Sequence, residues 1–191
     1  GVGGTLIQHK KEHMLHCDIK KGDRVFFFST CGWMMWNWLV SSLASGATLM
    51  LYDGSPFIKN NDNILFDYAE QEKFNFMGVS AKYLDTARKK ALSPRKTHSL
   101  DSIKMILSTG SALSVDCYDY VYEQVKAEVC LSSISGGTDI VSCFVLGSPM
   151  LPVYRGELQT RGLGMSVEVW DENGKSVTDE KGELVCINTF P

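Results

Sequence analysis

Most of the signatures that would assign this sequence quickly are missing, and each absence excludes something. Its six cysteines (Cys17, Cys31, Cys117, Cys130, Cys143 and Cys186) form no C-x-x-C pair and have no neighbouring set of histidines, which excludes the usual zinc frameworks. They read as reduced, mostly buried thiols, so a cytoplasmic protein is expected. Neither sign of charge dominates. Nineteen basic and 22 acidic side chains leave −3, and no concentrated basic face is available for nucleic acid. The densest basic stretch runs from Arg88 to Lys96 with Lys89, Lys90 and Arg95, and reads as a solvated helix end. The longest apolar stretch, Trp33 to Ala44, is too short to span a membrane and is interrupted by Asn37, Ser41 and Ser42. No charged-then-apolar leader opens the chain. Also missing are a Walker-type glycine loop, G-x-G-x-x-G, the G-x-S-x-G elbow and an H-E-x-x-H pair. His9, His13 and His16 have helical spacing, but Lys10, Lys11 and Glu12 beside them suggest the polar face of a surface helix rather than a metal site.

What is present is ordinary globular composition: 44% hydrophobic and 21% charged residues, too apolar for disorder. Five short apolar runs recur at similar spacing: Arg24–Phe28, Ala47–Tyr52, Phe74–Val79, Ile103–Ser108 and Glu128–Leu131. None alternates strictly, which suits strands buried on both faces of a parallel sheet. The segments between them read as helices. Trp33, Trp36, Val40 and Leu43 form one stripe, with Gly46 placed to end the helix. Ile64, Leu65, Tyr68 and Ala69 form a second stripe. Ser80 caps a third helix running through Lys89, and Ser114 caps a fourth with Asp116 in its first turn. This alternation predicts an α/β fold with a doubly wound, mostly parallel sheet. After about Gly147 the pattern changes. Gly156–Gln159, Met165–Trp170 and Gly182–Ile187 resemble antiparallel strands, with a hairpin turn at Asp171–Gly174. Two units are therefore expected: an α/β subdomain over 1–147 and the start of a small β subdomain over 148–191.

Three segments could carry chemistry. Two of them follow predicted strands, whose carboxyl ends are where open α/β sheets bind ligands. Ser108-Thr-Gly-Ser-Ala-Leu113 is small enough for a flat ring to lie against its backbone, although a plain βα turn capped by Ser114 explains it too. In Ser132-Ser-Ile-Ser-Gly-Gly-Thr-Asp139, two glycines permit close backbone approach, Thr138 offers a hydroxyl to a phosphate, and Asp139 offers a hard oxygen to Mg²⁺. A tight glycine turn with a solvated Asp139 explains that segment equally well. The third, Ser29-Thr-Cys-Gly-Trp-Met-Met-Trp-Asn-Trp38, holds three tryptophans within six positions. A buried helix start accounts for Trp36 but less well for Trp33 and Met34 directly after Cys-Gly.

In this order the three segments resemble the adenylate-forming superfamily of acyl-CoA synthetases, luciferases and peptide-synthetase adenylation domains. The strings Gly32–Trp38, Leu51–Pro56, Ser133–Asp139 and Leu151–Glu157 are similar to the branch that activates acetoacetate. The resemblance implies a two-step ligase with ATP, Mg²⁺ and CoA as substrates or cofactors and acetoacetate as the acid. Carboxylate attacks the α-phosphorus of ATP to give an acyl-adenylate and pyrophosphate, and the CoA thiol then displaces AMP. By the same resemblance Gly110, Ser111 and Ala112 pack against adenine, and Ser135, Gly136, Gly137 and Thr138 approach the nucleotide, with Thr138 at the α-phosphate. Asp139, where most of the family has Glu, serves Mg²⁺. Trp33, Met34, Met35, Thr109 and Gly136 match acyl-pocket positions. Branches using acetate or propionate carry a Trp in place of Gly136, closing the far end of that pocket.

The family's phosphate loop, its ribose-binding Asp and its C-terminal domain with a catalytic Lys have no counterpart within the 191 residues. Together with the start at Gly1 and the stop at Pro191, this suggests a piece of a longer polypeptide, inactive without the flanking domains. An acetate or propionate ligase, or a non-catalytic nucleotide-binding α/β module, are the competing readings.

Overall fold

The computed structural model describes residues 1–190. The strands β1 (Arg24–Phe27), β2 (Thr48–Met50), β3 (Phe76–Ser80), β4 (Met105–Thr109) and β5 (Cys130–Ser133) form one parallel sheet in the order β2-β1-β3-β4-β5. The sheet steps one way from β1 to β2, then crosses back over β1 to reach β3. Connections of constant hand therefore place helices on both faces, as the expected doubly wound layer requires.

Six α-helices accompany the strands: α1 (Val2–Lys11), α2 (Met34–Ser41), α3 (Ile64–Gln71), α4 (Ala81–Lys89), the short α5 (Pro94–Thr97) and α6 (Val115–Tyr120). Helices α1 and α6 run on as π-helical turns over Glu12–His16 and Val121–Val125. Strand side chains alternate between faces and so feed two separate cores. Phe26, Met77, Ile106 and Leu131 meet Leu65 and Phe66 of α3, Leu84 of α4 and Cys117 of α6. Val25, Phe27, Phe76, Met105 and Leu107 meet Met34, Met35, Trp38 and Leu39 of α2. Gly78 is glycine because a Cβ there would overlap the Phe27 ring on the neighbouring strand.

Several local expectations hold. The Ser80 side chain accepts from Tyr83 N at 3.0 Å and so caps α4, and Gly46 adopts φ +74 where the turn after α2 ends. Ser114 stands at the N-cap of α6 but makes no side-chain capping bond. Asp171–Gly174 does turn the chain, with Gly174 at φ +74 and Gly174 N donating to Asp171 O at 3.0 Å. All six cysteines are free. Cys17, Cys117 and Cys143 are buried, and Cys31 is exposed.

Other expectations fail for physical reasons. The buried side of α2 is Met34, Met35, Trp38 and Leu39, while Val40 and Leu43 face solvent, because α2 is wedged between the sheet and α1. His9, His13 and His16 are not a surface face: all three are buried, against α2 and the strand that follows β5 and its glycines. The glycine segment is not merely a turn. β6 (Ser135–Gly137) and β7 (Ser142–Leu146) form a hairpin, and β8 (Thr160–Arg161) pairs with β7. Strand pairing in this sheet thus joins residues on both sides of position 148. Gly156–Gln159 is not a strand. Gln159 instead uses its amide to bind Ser148 O and Leu151 O, both at 3.0 Å, and so ties that loop to itself. The last pair, β9 (Val167–Trp170) and β10 (Glu183–Cys186), is antiparallel as expected. Among the described residues no helix is long and apolar enough to cross a membrane.

Candidate functional site

The parallel sheet delivers the ends of β1, β4 and β5 to one edge, and a cavity of about 470 Å³ lies there. This is within the usual range for small-ligand sites. One wall is Trp33, Met34 and Met35, where the chain leaves β1 and starts α2. Trp33 occupies the N-cap position in an extended conformation, with its N–H donating to Thr30 O at 3.1 Å. Its indole stands edge-on to Phe27, centroids 6.2 Å apart. Its far edge faces Gly110, where a Cβ would sit 3.7 Å from the ring. The tryptophan thus bridges the ends of β1 and β4.

The floor is the loop after β4. Gly110 adopts φ +91, a conformation glycine takes without steric cost, and turns the chain off the strand. Thr109, Ser111, Ala112 and Leu113 line the cavity with it. Thr109 Oγ1 donates to Ile134 O at 3.4 Å and Ile134 N donates to Ser108 O at 2.8 Å, so the ends of β4 and β5 stay joined at the cavity.

The opposite wall is β6, contributing Ser135, Gly136 and Gly137, followed by Thr138. Gly136 is exposed to the cavity on one side and pressed against β7 on the other: a Cβ would collide with Ser142 O and lie 2.9 Å from Cys143 Cα. The pairing is irregular between Ser135 and Gly136, a bulge that aims this stretch at the cavity. The hairpin turns at Thr138–Val141, with Val141 N donating to Thr138 O at 3.1 Å and Val141 at φ +50.

All the residues singled out for nucleotide and acid therefore line one cavity, apart from Asp139. Asp139 lies at the exposed tip of the turn, beyond the lining residues. It makes no hydrogen bond or ion pair among the described residues. Among these residues no group of three or more His, Cys, Asp or Glu side chains could hold a metal ion by itself.

Sequence reasoning missed Tyr118, Ser142, Cys143, Gly156 and Leu158, which also line the cavity. Tyr118 donates its hydroxyl to Glu157 O at 2.6 Å, bringing the 156–158 segment to the rim, and burial pushes its phenol pKa up. Only long-range folding brings that segment here, and no local pattern announces it. Arg155 anchors it further through two bonds to Asp119, at 2.6 and 2.7 Å, and so holds the Asp119 carboxyl below its usual range.

Comparison with known proteins gives a consistent result. The model of a family described as "AMP-binding enzyme" matches residues 4–189. The acetoacetyl-coenzyme A synthetase of Rhizobium meliloti (strain 1021) is 59% identical over 190 residues, covering 100% of this chain and 29% of the relative. The malonamoyl-CoA synthetase vrtB of Penicillium aethiopicum is 44% identical over 97% of this chain and 28% of its own length. The solved structure of the acetoacetyl-CoA synthetase from Streptomyces lividans superposes with a TM-score of 0.91 at 42% identity, over 99% of this chain and 30% of that one. The chain thus spans less than a third of the length of the curated relatives it matches.

Proposed function

The chain belongs to the AMP-binding enzyme family, and from that membership we propose that it supplies the acid- and adenine-binding part of an acetoacetate–CoA ligase. The observation that carries this reading is the single cavity formed by Trp33–Met35, Thr109–Ala112 and Ser135–Thr138, in a chain similar throughout to acetoacetyl-CoA synthetases. The reaction is ATP-dependent. The acid is activated as its adenylate with release of pyrophosphate, and CoA thiol then takes the acyl group and releases AMP.

In this assignment Gly110, Ser111 and Ala112 lie against adenine, and their small side chains leave backbone available to a flat ring. Thr138 offers its hydroxyl to the α-phosphate. Trp33, Met34, Met35, Thr109 and Gly136 enclose the acyl group. Mg²⁺ suits Asp139: the carboxylate is exposed and otherwise unengaged, and one carboxylate plus substrate phosphates is a common way of holding this ion. Bound there, Mg²⁺ would neutralise phosphate charge during adenylation. Six unpaired cysteines support a cytosolic setting for the reaction.

Similarity to a malonamoyl-CoA synthetase raises a second acid. Malonamate differs from acetoacetate only by an amide NH₂ in place of the terminal methyl. An amide buried without an acceptor is costly. Of the residues assigned to the acyl group, Trp33, Met34 and Met35 offer only an indole and weakly accepting thioethers, so an amide there would depend on Thr109 or the Gly136 backbone for an acceptor, whereas the methyl ketone needs none. The test is ATP–pyrophosphate exchange by the complete polypeptide with acetoacetate, malonamate, acetate and propionate. Acetoacetate should show the highest kcat/KM. Preference for acetate or propionate would overturn the substrate assignment, and no exchange with any acid would overturn the enzymatic reading.

A further inference from the structure

The helix that begins the chain buries its polar side, and that side touches both walls of the cavity without lining it. Glu12 is completely buried. Its Oε2 accepts from Trp38 Nε1 at 2.9 Å, and Trp38 lies on α2, whose first residues Met34 and Met35 form one cavity wall. Its Oε1 accepts from Ser142 Oγ at 2.8 Å, from Cys143 N at 3.0 Å and from Gln8 Nε2 at 3.2 Å. Ser142 and Cys143 are the cross-strand partners of Gly137 and Gly136, which form the opposite wall.

His9 makes a second bridge between the same two elements. One ring nitrogen meets Ser41 Oγ of α2 at 2.9 Å and the other Val141 O of the hairpin turn at 3.1 Å. Val141 is β-branched and held at φ +50, a conformation such residues adopt only when their surroundings impose it. His16 continues the series, meeting Gly147 O just beyond β7 and accepting from Leu163 N, both at 2.9 Å.

We propose that Glu12, seconded by His9, is a positioning residue: it fixes the β6–β7 hairpin relative to α2 and thereby sets the width of the cavity between Trp33–Met35 and Gly136–Thr138. The consequence for catalysis rests on the proposed ligase function; the mechanical claim does not. All of Glu12's partners are donors, which a carboxylate with two oxygens can satisfy together. An amide at this position must turn its NH₂ toward Trp38 on one side or toward Ser142 and Cys143 on the other.

The test uses the complete polypeptide with Glu12→Gln and, independently, Trp38→Phe, which keeps an aromatic ring but removes the N–H given to Glu12. Amide hydrogen exchange is followed at Gly136, Gly137 and Ser142–Leu146 and, as an internal reference, at Met105–Thr109 of β4. Exchange in the hairpin should rise about tenfold or more in at least one variant with β4 unchanged, the effect expected when a buried donor loses its acceptor. The same variant should raise KM for the acid in pyrophosphate exchange with little change in kcat. An equal rise in β4 and hairpin would reduce Glu12 to a general stabiliser and overturn the proposal, as would an undisturbed hairpin in both variants. If the parent shows no pyrophosphate exchange the ligase assignment fails, and the hydrogen-exchange comparison still decides the positioning claim.

Discussion

At Gly136 two demands fall on one residue. It faces the cavity, and its α-hydrogen side is pressed against the Ser142 carbonyl and the Cα of Cys143. The glycine therefore both opens the cavity and permits the hairpin to close. Gly136→Ala should destabilise the fold by about 1–3 kcal/mol, the usual cost of overpacking against backbone that must move. Gly137→Ala serves as the control, since nothing lies within 4 Å of a Cβ there, and its melting temperature should stay near the parent's. Thermal denaturation of the two variants checks this pair. A tryptophan at 136, as in the acetate- and propionate-using branches, cannot simply fill the cavity; β6 must first part from β7. Gly136→Trp is thus expected to lose stability together with acetoacetate use. Asp139 is the opposite case, exposed and unengaged among the described residues. In the complete polypeptide Asp139→Ala should leave the melting temperature unchanged and depress pyrophosphate exchange severely. CoA transfer from pre-made acyl-adenylate should suffer much less, because the pyrophosphate is already gone. Equal loss in both half-reactions would instead point to a structural role for the carboxylate.

Helix α1 with its π-helical extension is polar inside and apolar outside: Gln8, His9, Glu12, His13 and His16 are buried, while Leu6, Ile7, Met14 and Leu15 are exposed. Burial, the largest influence on each of the three histidines, lowers their pKa values, and His13 is pushed down from 6.5 to about 3. Its ring stands edge-on to Trp38, centroids 4.2 Å apart. Above pH 6.5 the His13 ring is neutral whether the chain is folded or not. As pH falls from 6.5 toward 3 the unfolded chain takes up a proton that the folded chain refuses, so stability falls. The slope is about 1.4 kcal/mol per pH unit for each such histidine. Carboxylates held low by hydrogen bonds, such as the half-buried Asp67 with Asn61 and His98, act in the same direction but only below their ordinary 3.8. Melting temperature should therefore drop between about pH 6.5 and pH 5, and His13→Phe, which keeps an aromatic ring beside Trp38, should flatten that dependence by about one proton. A variant with the parent's pH slope would show that His13 does not carry it. Nothing about this helix was misread in its period: residues 8, 9, 12, 13 and 16 share one face. What a sequence cannot show is that α2 and the hairpin supply partners for Glu12 and His9, so that the polar face is the one turned inward even though the ring nitrogens of His13 are buried there without a hydrogen bond among the described residues. The same limit hid β6 and β7, because Ser-Gly-Gly followed by Thr-Asp carries turn chemistry and only the cross-strand partner makes it a strand.

For the molecule as a whole, the sheet was legible because its central strands β1, β3 and β4 are short runs buried on both faces, and that burial is a property of the run itself; the outer strands β2, with Thr48 exposed, and β5, ending in two serines, follow from the regular spacing. Predicted and observed strands differ mainly at their ends, as with Phe74–Val79 against Phe76–Ser80. The cavity was legible for a related reason: a parallel sheet brings its carboxyl ends to one edge, so segments distant in sequence converge there once the strand order is set. The rim from Gly156 to Leu158 was not, since it depends on Tyr118 and Arg155 reaching across the surface. This architecture also divides the molecule energetically. The core containing Leu84 lies on the face away from α2 and reaches the cavity at Leu113 and Tyr118, whereas the core containing Leu39 includes Met34, Met35 and Cys143 of the cavity lining. Leu84 and Leu39 are both almost fully buried, at 2% and 1% exposure, so truncating either to Ala should cost about 2–5 kcal/mol. Their effects on binding should differ. Leu84→Ala removes packing in the core that meets the cavity at Leu113 and Tyr118, across the sheet from the Trp33–Met35 wall proposed to hold the acid, and the KM for the acid, measured in the complete polypeptide well below its melting temperature, should stay at the parental value. Leu39→Ala loosens the helix that presents Met34 and Met35, and the same KM should rise. If both variants raise KM to the same extent, the sheet does not insulate one core from the other, and the cavity responds to global stability rather than to the α2 face alone.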